Sequence, residues 1–256
     1  MTCTSQFSWV SSARSDVGRV REHNEDACLQ QPGQACWAVA DGMGGHAVGD
    51  LASGLIVDAL SRLPAPDSIA RYLADARERL LTVNQQLRDE AARRQVAVIG
   101  STVVALFACD SYCGYLWAGD SRLYLCRQGH LRQLTRDHSQ VEELKALGHL
   151  TEEEAINHPA QHLITRAVGA TDHLELDADT LSVTDGDIFL LCSDGLSNEL
   201  SAQEMQSVLT VADCDAACDT LIEAALARGG RDNITAVVIR AEDTYASDKT
   251  LLNPAP

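Results

Sequence analysis

The chain has 256 residues, with 20 Lys plus Arg set against 37 Asp plus Glu, a formal charge of −17. This balance excludes a nucleic-acid binder that neutralises phosphates along a basic stripe, and it excludes docking on an anionic membrane. It leaves room for a small phosphate site, because a bound cation reverses the local sign.

Taken in chain order, the first thirty residues carry Arg14, Asp16, Arg19 and Arg21 where a signal peptide needs an apolar stretch. The first legible strand is 36–40, an apolar run that ends in Asp41-Gly42. A helix follows over 49–63, apolar at Leu51, Leu55, Ala59 and Leu63 and stopped by Pro64. A second helix covers about 67–94, with Ile69, Leu73, Ala76, Leu80, Leu87 and Ala91 on one stripe. Strands are predicted at 101–109, 113–118 and 123–127, the last two as a meander turning at Gly119-Asp120-Ser121. No apolar run here is long enough to span a bilayer.

The segment 136–166 breaks the pattern. It holds two short helical stretches, 141–147 and 151–156, the second opened by a Thr151/Glu154 capping box. It reads as a flap inserted over a site. Its histidines (His138, His149, His158, His162) are expected on a polar surface, since none has a ligand spacing. A strand at 188–192 then runs into Ser193-Asp194-Gly195. Ser201 with Glu204 opens a third helix, and 215–228 forms a fourth, closed by Gly229-Gly230. A last strand at 234–240 follows Asp232. The expected organisation is one domain over 1–241 and a flexible tail over 242–256. Strands and helices do not alternate, so the fold class is α+β with antiparallel sheets. The nine scattered cysteines lack a CxxC pair and read as reduced, buried thiols of a cytoplasmic protein.

The informative pattern is where the aspartates fall. Asp41, Asp120, Asp194 and Asp232 each sit at a strand end beside a glycine or a tight turn. Any one Asp-Gly is more often a plain turn. If the four converge, two charges about 4 Å apart repel by about 4 kcal/mol at an effective dielectric of ~20. Divalent cations would offset that, and all-oxygen ligands favour Mg²⁺, Mn²⁺ or Ca²⁺ over Zn²⁺. Arg21, Glu25 and Asp26 form a second charged element, in which Arg21 has the planar fork to hold a phosphate. One motif competes. Residues 42–47 satisfy G-x-G-x-x-A between a strand and a helix, the dinucleotide fingerprint. The second strand that this fingerprint needs is missing, and Asp41 would face a pyrophosphate.

Six motifs occur in order. They are Ser15-Asp16-Val17-Gly18 with Arg21-Glu22-His23-Asn24-Glu25-Asp26, Ala40-Asp41-Gly42-Met43-Gly44-Gly45, Ala118-Gly119-Asp120-Ser121, Asp137-His138-Ser139, Cys192-Ser193-Asp194-Gly195 and Gly230-Arg231-Asp232-Asn233. With them the chain resembles the type 2C metal-dependent protein Ser/Thr phosphatases (PPM family) in their compact bacterial form. The resemblance covers about 11–241. It implies a four-layer αββα sandwich, two antiparallel sheets flanked by helices, with the metal site at one end. It implies two Mn²⁺ or Mg²⁺ ions bridged by Asp41, with Asp194 and Asp232 on one ion and the Gly42 carbonyl on the other. Glu25 and Asp26 would act through bound waters, Asp120 would serve a third, weaker ion, and Arg21 would bind the substrate phosphate. The implied reaction is in-line hydrolysis of phosphoserine and phosphothreonine by a metal-bridging water, with Asp41 and Arg21 central. Met43 stands where some relatives carry a His thought to protonate the leaving group. The implied partners are phosphoproteins and a cognate Ser/Thr kinase; a monomer is expected, without nucleic acid or membrane. Acids in 142–154 are expected to favour basic residues around the phosphorylated side chain. An idle family member acting as a scaffold is the alternative, and it sits badly with an intact set of Asp41, Asp194 and Asp232.

Overall fold

The computed structural model describes residues 6–44, 48–64, 67–155, 158–160 and 163–244. Its first sheet contains β1 (Phe7–Asp16), β7 (Arg122–Arg127), β8 (His130–Gln133), β10 (Ile188–Cys192) and β11 (Ile234–Asp243), in the order β1-β11-β10-β7-β8. The second contains β2 (Asp26–Gln31), β3 (Cys36–Met43), β5 (Val103–Cys109), β6 (Tyr112–Ala118) and β9 (Asp177–Ser182), in the order β2-β3-β5-β6-β9. A two-residue strand, β4 (Gly100–Ser101), pairs with the end of β3. Every paired ladder among these strands is antiparallel.

Two helices, α1 (Gly49–Ser61) and α2 (Ile69–Arg94), cover the outer face of the second sheet. Three short helices follow in the chain: α3 (Gln140–Ala146) and α4 (Glu152–Ala155) in the 136–166 segment, and α5 (Asp194–Ser197) directly after β10. The outer face of the first sheet is covered by α6 (Ala202–Val211) and α7 (Cys214–Ala227). The order of layers is therefore helix, sheet, sheet, helix, as the resemblance implies.

Why the central strands read as unbroken apolar runs is now plain. A strand buried on both faces needs apolar residues at every position. In β3, Cys36, Ala38 and Ala40 face the helices, while Trp37 and Val39 face the other sheet. In β10, Ile188, Leu190 and Cys192 face α6 and α7, while Phe189 and Leu191 point inward. Trp37 and Phe189 are fully buried. Losing such a ring costs about 3–5 kcal/mol.

Several expectations need correction. β6 and β7 do not form a meander. They lie in different sheets, so Gly119-Asp120-Ser121 is a crossover between the sheets and Asp120 is not at a hairpin tip. The uniformly antiparallel ladders, and the direct passage from α1 to α2, leave no βαβ unit for a dinucleotide. The last strand continues through Asp243, where it pairs with Phe7, so 242–243 belong to the sheet. The rest of the expected tail, 245–256, lies outside the described residues. Among the described residues no helix is long and apolar enough to cross a membrane.

Candidate metal centre

Strand register brings the acids to one end of the sandwich. Asp26 opens β2 and lies directly opposite Asp41 on β3. Such partners hold their Cβ atoms about 5 Å apart. At the same end Cys192 pairs with Arg122, which places Asp194 and Asp120 just past that rung. Asp232 precedes β11, whose first residue pairs with Asp16.

The backbone around Asp41 is tightly framed. The Asp41 amide donates to Thr102 Oγ1 at 3.0 Å, and Thr102 Oγ1 lies 2.7 Å from Ser121 Oγ beside Asp120. The Gly42 amide donates to the Glu25 carbonyl at 3.1 Å. A Cβ on Gly42 would come within 2.1 Å of the Gly49 carbonyl, so only glycine lets α1 begin this close. The Glu25 carboxyl lies against Gly49, at the N-terminus of α1, where Val48 provides no side-chain cap. A negative charge is favoured there.

The other sheet reaches across to Asp26. Ser193 Oγ and Thr235 Oγ1 both donate to its Oδ2, each at 2.7 Å. Because Thr235 spends its proton on Asp26, it accepts from Ser15 Oγ at 2.8 Å, and Ser15 in turn accepts from Asn24 Nδ2 at 2.8 Å. Asn233 accepts the Glu25 amide and donates to the carbonyls of Val17 and His23, which fixes the loop carrying Arg21. A Cβ on Gly195 would come within 2.0 Å of the Asn233 carbonyl, which explains the glycine after Asp194.

The carboxylates disturb one another strongly. Loss of water around Asp26 pushes its pKa up to about 7, against the pull of the Thr235 and Ser193 hydroxyls, with Asp194 and Asp232 adding to the rise. Burial likewise lifts Asp41 well above the usual carboxylate range, reinforced by Asp26, Asp194, Asp120 and Asp232. Asp120 rises to about 7 through burial, then Asp194 and Asp137. Five aspartates from both sheets and the crossover thus act as one electrostatic unit.

That unit is not a ready-made cage. Among the described residues no group of three or more His, Cys, Asp or Glu side chains is gathered to hold an ion as it stands. Arg21 donates to Asp232 Oδ2 at 2.8 Å, so the expected phosphate ligand is paired with an expected metal ligand. Asp232 Oδ1 accepts from the Asn233 amide, and Asp194 Oδ2 accepts from Asn198 Nδ2 at 3.1 Å. Yet Asp26 Oδ1 is buried without a hydrogen-bond partner. A stranded carboxylate oxygen among raised pKa values, with oxygen donors alone around it, fits a hard divalent cation.

The flap corrects one further expectation. His138 is not a surface histidine: it is 8% exposed and its ring stacks on Trp117 with centroids 5.9 Å apart. Its Nδ1 accepts from the Gly119 amide at 3.2 Å, which leaves Nε2 to donate to Asp177 Oδ2 at 3.2 Å. Glu142 is shared by Arg136 and Lys145. The Thr151/Glu154 capping box is present. His162 lies outside the described residues. The supporting groups Thr102, Ser121, Ser193, Thr235 and Asn233 carry no pattern of their own; adjacency to Asp120, Asp194 and Asp232 is the signal that would have found most of them.

Comparison with known proteins agrees with this geometry. Residues 18–231 match protein phosphatase 2C. The chain is 39% identical over 239 residues to the serine/threonine protein phosphatase PstP of Mycobacterium tuberculosis, a match covering 91% of this chain and 45% of that protein. The chain thus spans just under half the length of that relative. A solved structure described as PppA, a key regulatory component of T6SS in Pseudomonas aeruginosa, superposes with a TM-score of 0.85 at 47% identity, covering 91% of this chain and 97% of that one. The catalytic domain of PstP in complex with two manganese ions superposes with a TM-score of 0.82 at 35% identity, covering 93% and 100%. The breadth of the first match and the closeness of the others settle the classification: the chain belongs to the protein phosphatase 2C family.

Proposed function

We propose that this chain hydrolyses phosphoserine and phosphothreonine on proteins, with two Mn²⁺ or Mg²⁺ ions as cofactors. The observation that carries the reading is the burial and mutual repulsion that raise Asp26, Asp41 and Asp120, with Asp194 and Asp232 close enough to add to the rise. Asp41, the Gly42 carbonyl, Asp194 and Asp232 would hold the two ions, with Glu25 and Asp26 outside them. Asp120, sharing Asp194, would take a third and weaker one. When bound, the cations screen the phosphate dianion and make hydroxide available for in-line attack near neutral pH.

The chain's own groups do the rest. Arg21 has a side chain 52% exposed and exchanges Asp232 for a phosphate oxygen when substrate arrives. Thr102, Ser193 and Thr235 keep the carboxylates oriented. Burial pushes the Cys36 and Cys192 thiols up to about 12, which keeps these two from competing as nucleophiles. Met43 has no proton to give and its methyl end lies near Gly100, so the leaving alkoxide takes its proton from water.

A cytoplasmic monomer opposing a Ser/Thr kinase is the expected setting. Likeness to the Pseudomonas aeruginosa T6SS regulator supports a substrate in a machine of that kind. The direct test is phosphate release from a phosphopeptide: EDTA should abolish it and Mn²⁺ restore it, and activity that survives chelation refutes the reading. Phosphoproteomics after gene deletion, with Asp41→Asn as control, would name the substrates.

A further inference from the structure

The flap is rooted at two places, its entrance beside Asp120 and its exit on that entrance and on β9. Where the chain enters it, Trp117 Nε1 donates to the Arg136 carbonyl at 2.8 Å and Arg122 grips both carboxylate oxygens of Asp137. The His138 amide donates to the Gly119 carbonyl at 2.9 Å, and the Gly119 amide returns a bond to His138 Nδ1. Residues 136–138 therefore bracket Asp120 from both sides in the chain. Where the chain leaves the flap, the Thr165 amide donates to the His138 carbonyl at 2.8 Å, and Ser139 bridges Ile164. Arg166 donates to Asp177 Oδ1 at 2.9 Å, on the same carboxylate that holds His138 Nε2. His138, at the flap entrance, thus touches the crossover and β9 through its ring and the flap exit through its carbonyl.

We propose that His138 is a positioning residue that fixes the Gly119–Asp120 crossover and ties it to the flap, so that a cation at Asp120 and a peptide engaged by the flap favour each other. The proposal rests on the phosphatase reading above and deepens it. Both bonds to Gly119 come from one residue, so a displacement of the flap root cannot leave the Asp120 backbone unmoved. Groups that orient a metal ligand from outside typically change affinity 10–100-fold.

The test is Mn²⁺ binding by calorimetry on the whole chain, with Asp120→Asn marking the weak step. His138→Gln should weaken that step 10–100-fold and leave the tight steps unchanged. His138→Asn can still accept the Gly119 amide and should restore most of the affinity. Asp177→Ala, a change at a half-exposed position that will not unfold the chain, should weaken the same step by about 2–5-fold. In kinetics at limiting Mn²⁺, KM for a phosphopeptide should rise in His138→Gln more than KM for p-nitrophenyl phosphate, which is too small to engage the flap. A wild-type isotherm in both His138→Gln and Asp177→Ala overturns the proposal, as does equal weakening by Asn and Gln. A wild-type chain that binds no Mn²⁺ would overturn the phosphatase reading as well, so the two failures are distinct.

Discussion

The acidic end of the sandwich and the flap are both crowded with carboxylates, and they treat them in opposite ways. In the flap, partial burial pushes Glu142 up, but Lys145 and Arg136 together hold it below the usual range. The Thr151 amide and hydroxyl do the same for Glu154. At the acidic end, burial and neighbouring charge push Asp26, Asp41 and Asp120 up instead. In the flap, Glu142 is thus paired off within six residues, and such part-exposed pairing is worth little. At the strand ends Asp26 is held by the Ser193 and Thr235 hydroxyls and Asp41 is framed through its amide by Thr102, while Asp232 meets Arg21. The difference separates carboxylates that solubilise from carboxylates kept for a ligand.

The largest test of this contrast is Asp41→Asn. Phosphatase activity should fall at least about 1000-fold, and Mn²⁺ should no longer raise the melting temperature. The same change removes repulsion, so the metal-free variant should melt higher than wild type, by on the order of 5 °C. A lower melting point would break the comparison. The next effect is in pH. Asp26 and Asp120 have folded pKa values near 7, above those of the unfolded chain. Between about pH 4 and 7 the folded state therefore binds more protons, and stability falls as pH rises through 7. Metal-free protein should melt higher at pH 5.5 than at pH 8, and Mn²⁺ should stabilise most at pH 8. Equal Mn²⁺ shifts at both values would contradict it. The smallest effect is in the flap. Glu142→Gln should cost under about 1 kcal/mol and leave kcat/KM on a phosphopeptide within about twofold. A large change would mean that flap charge is not spent internally.

How much of this was legible in the sequence depends on burial. β5, β10 and the 36–40 part of β3 announce themselves because both faces are covered and every position is apolar. β1 hides because its pattern mixes Ser11, Ser12, Arg14 and Ser15 with Phe7 and Trp9. β9 hides because it is an exposed edge strand reading Asp-Ala-Asp-Thr. Asp41 and Asp194 could be read from strands running into Asp-Gly. Asp120 was placed on the wrong kind of turn because neighbouring strands usually pair, and here the chain changes sheets. Hydroxyls such as Thr235 and the buried His138 have no periodicity to betray them. Their roles depend on register between strands far apart in the chain.

The pairing of β1 with β11 has a consequence for biosynthesis. It joins the first strand to the last over ten residues, from Phe7 with Asp243 to Asp16 with Ile234. In the ordered sheet β1 has no strand neighbour other than β11. As the nascent chain emerges, β1 must wait roughly 10–50 s for that neighbour at ordinary rates of translation. Asp232, just ahead of β11, arrives in the same final stretch. The ribosome therefore delivers sheet closure and the completed acidic set together, and a chain released before residue 232 would lack both.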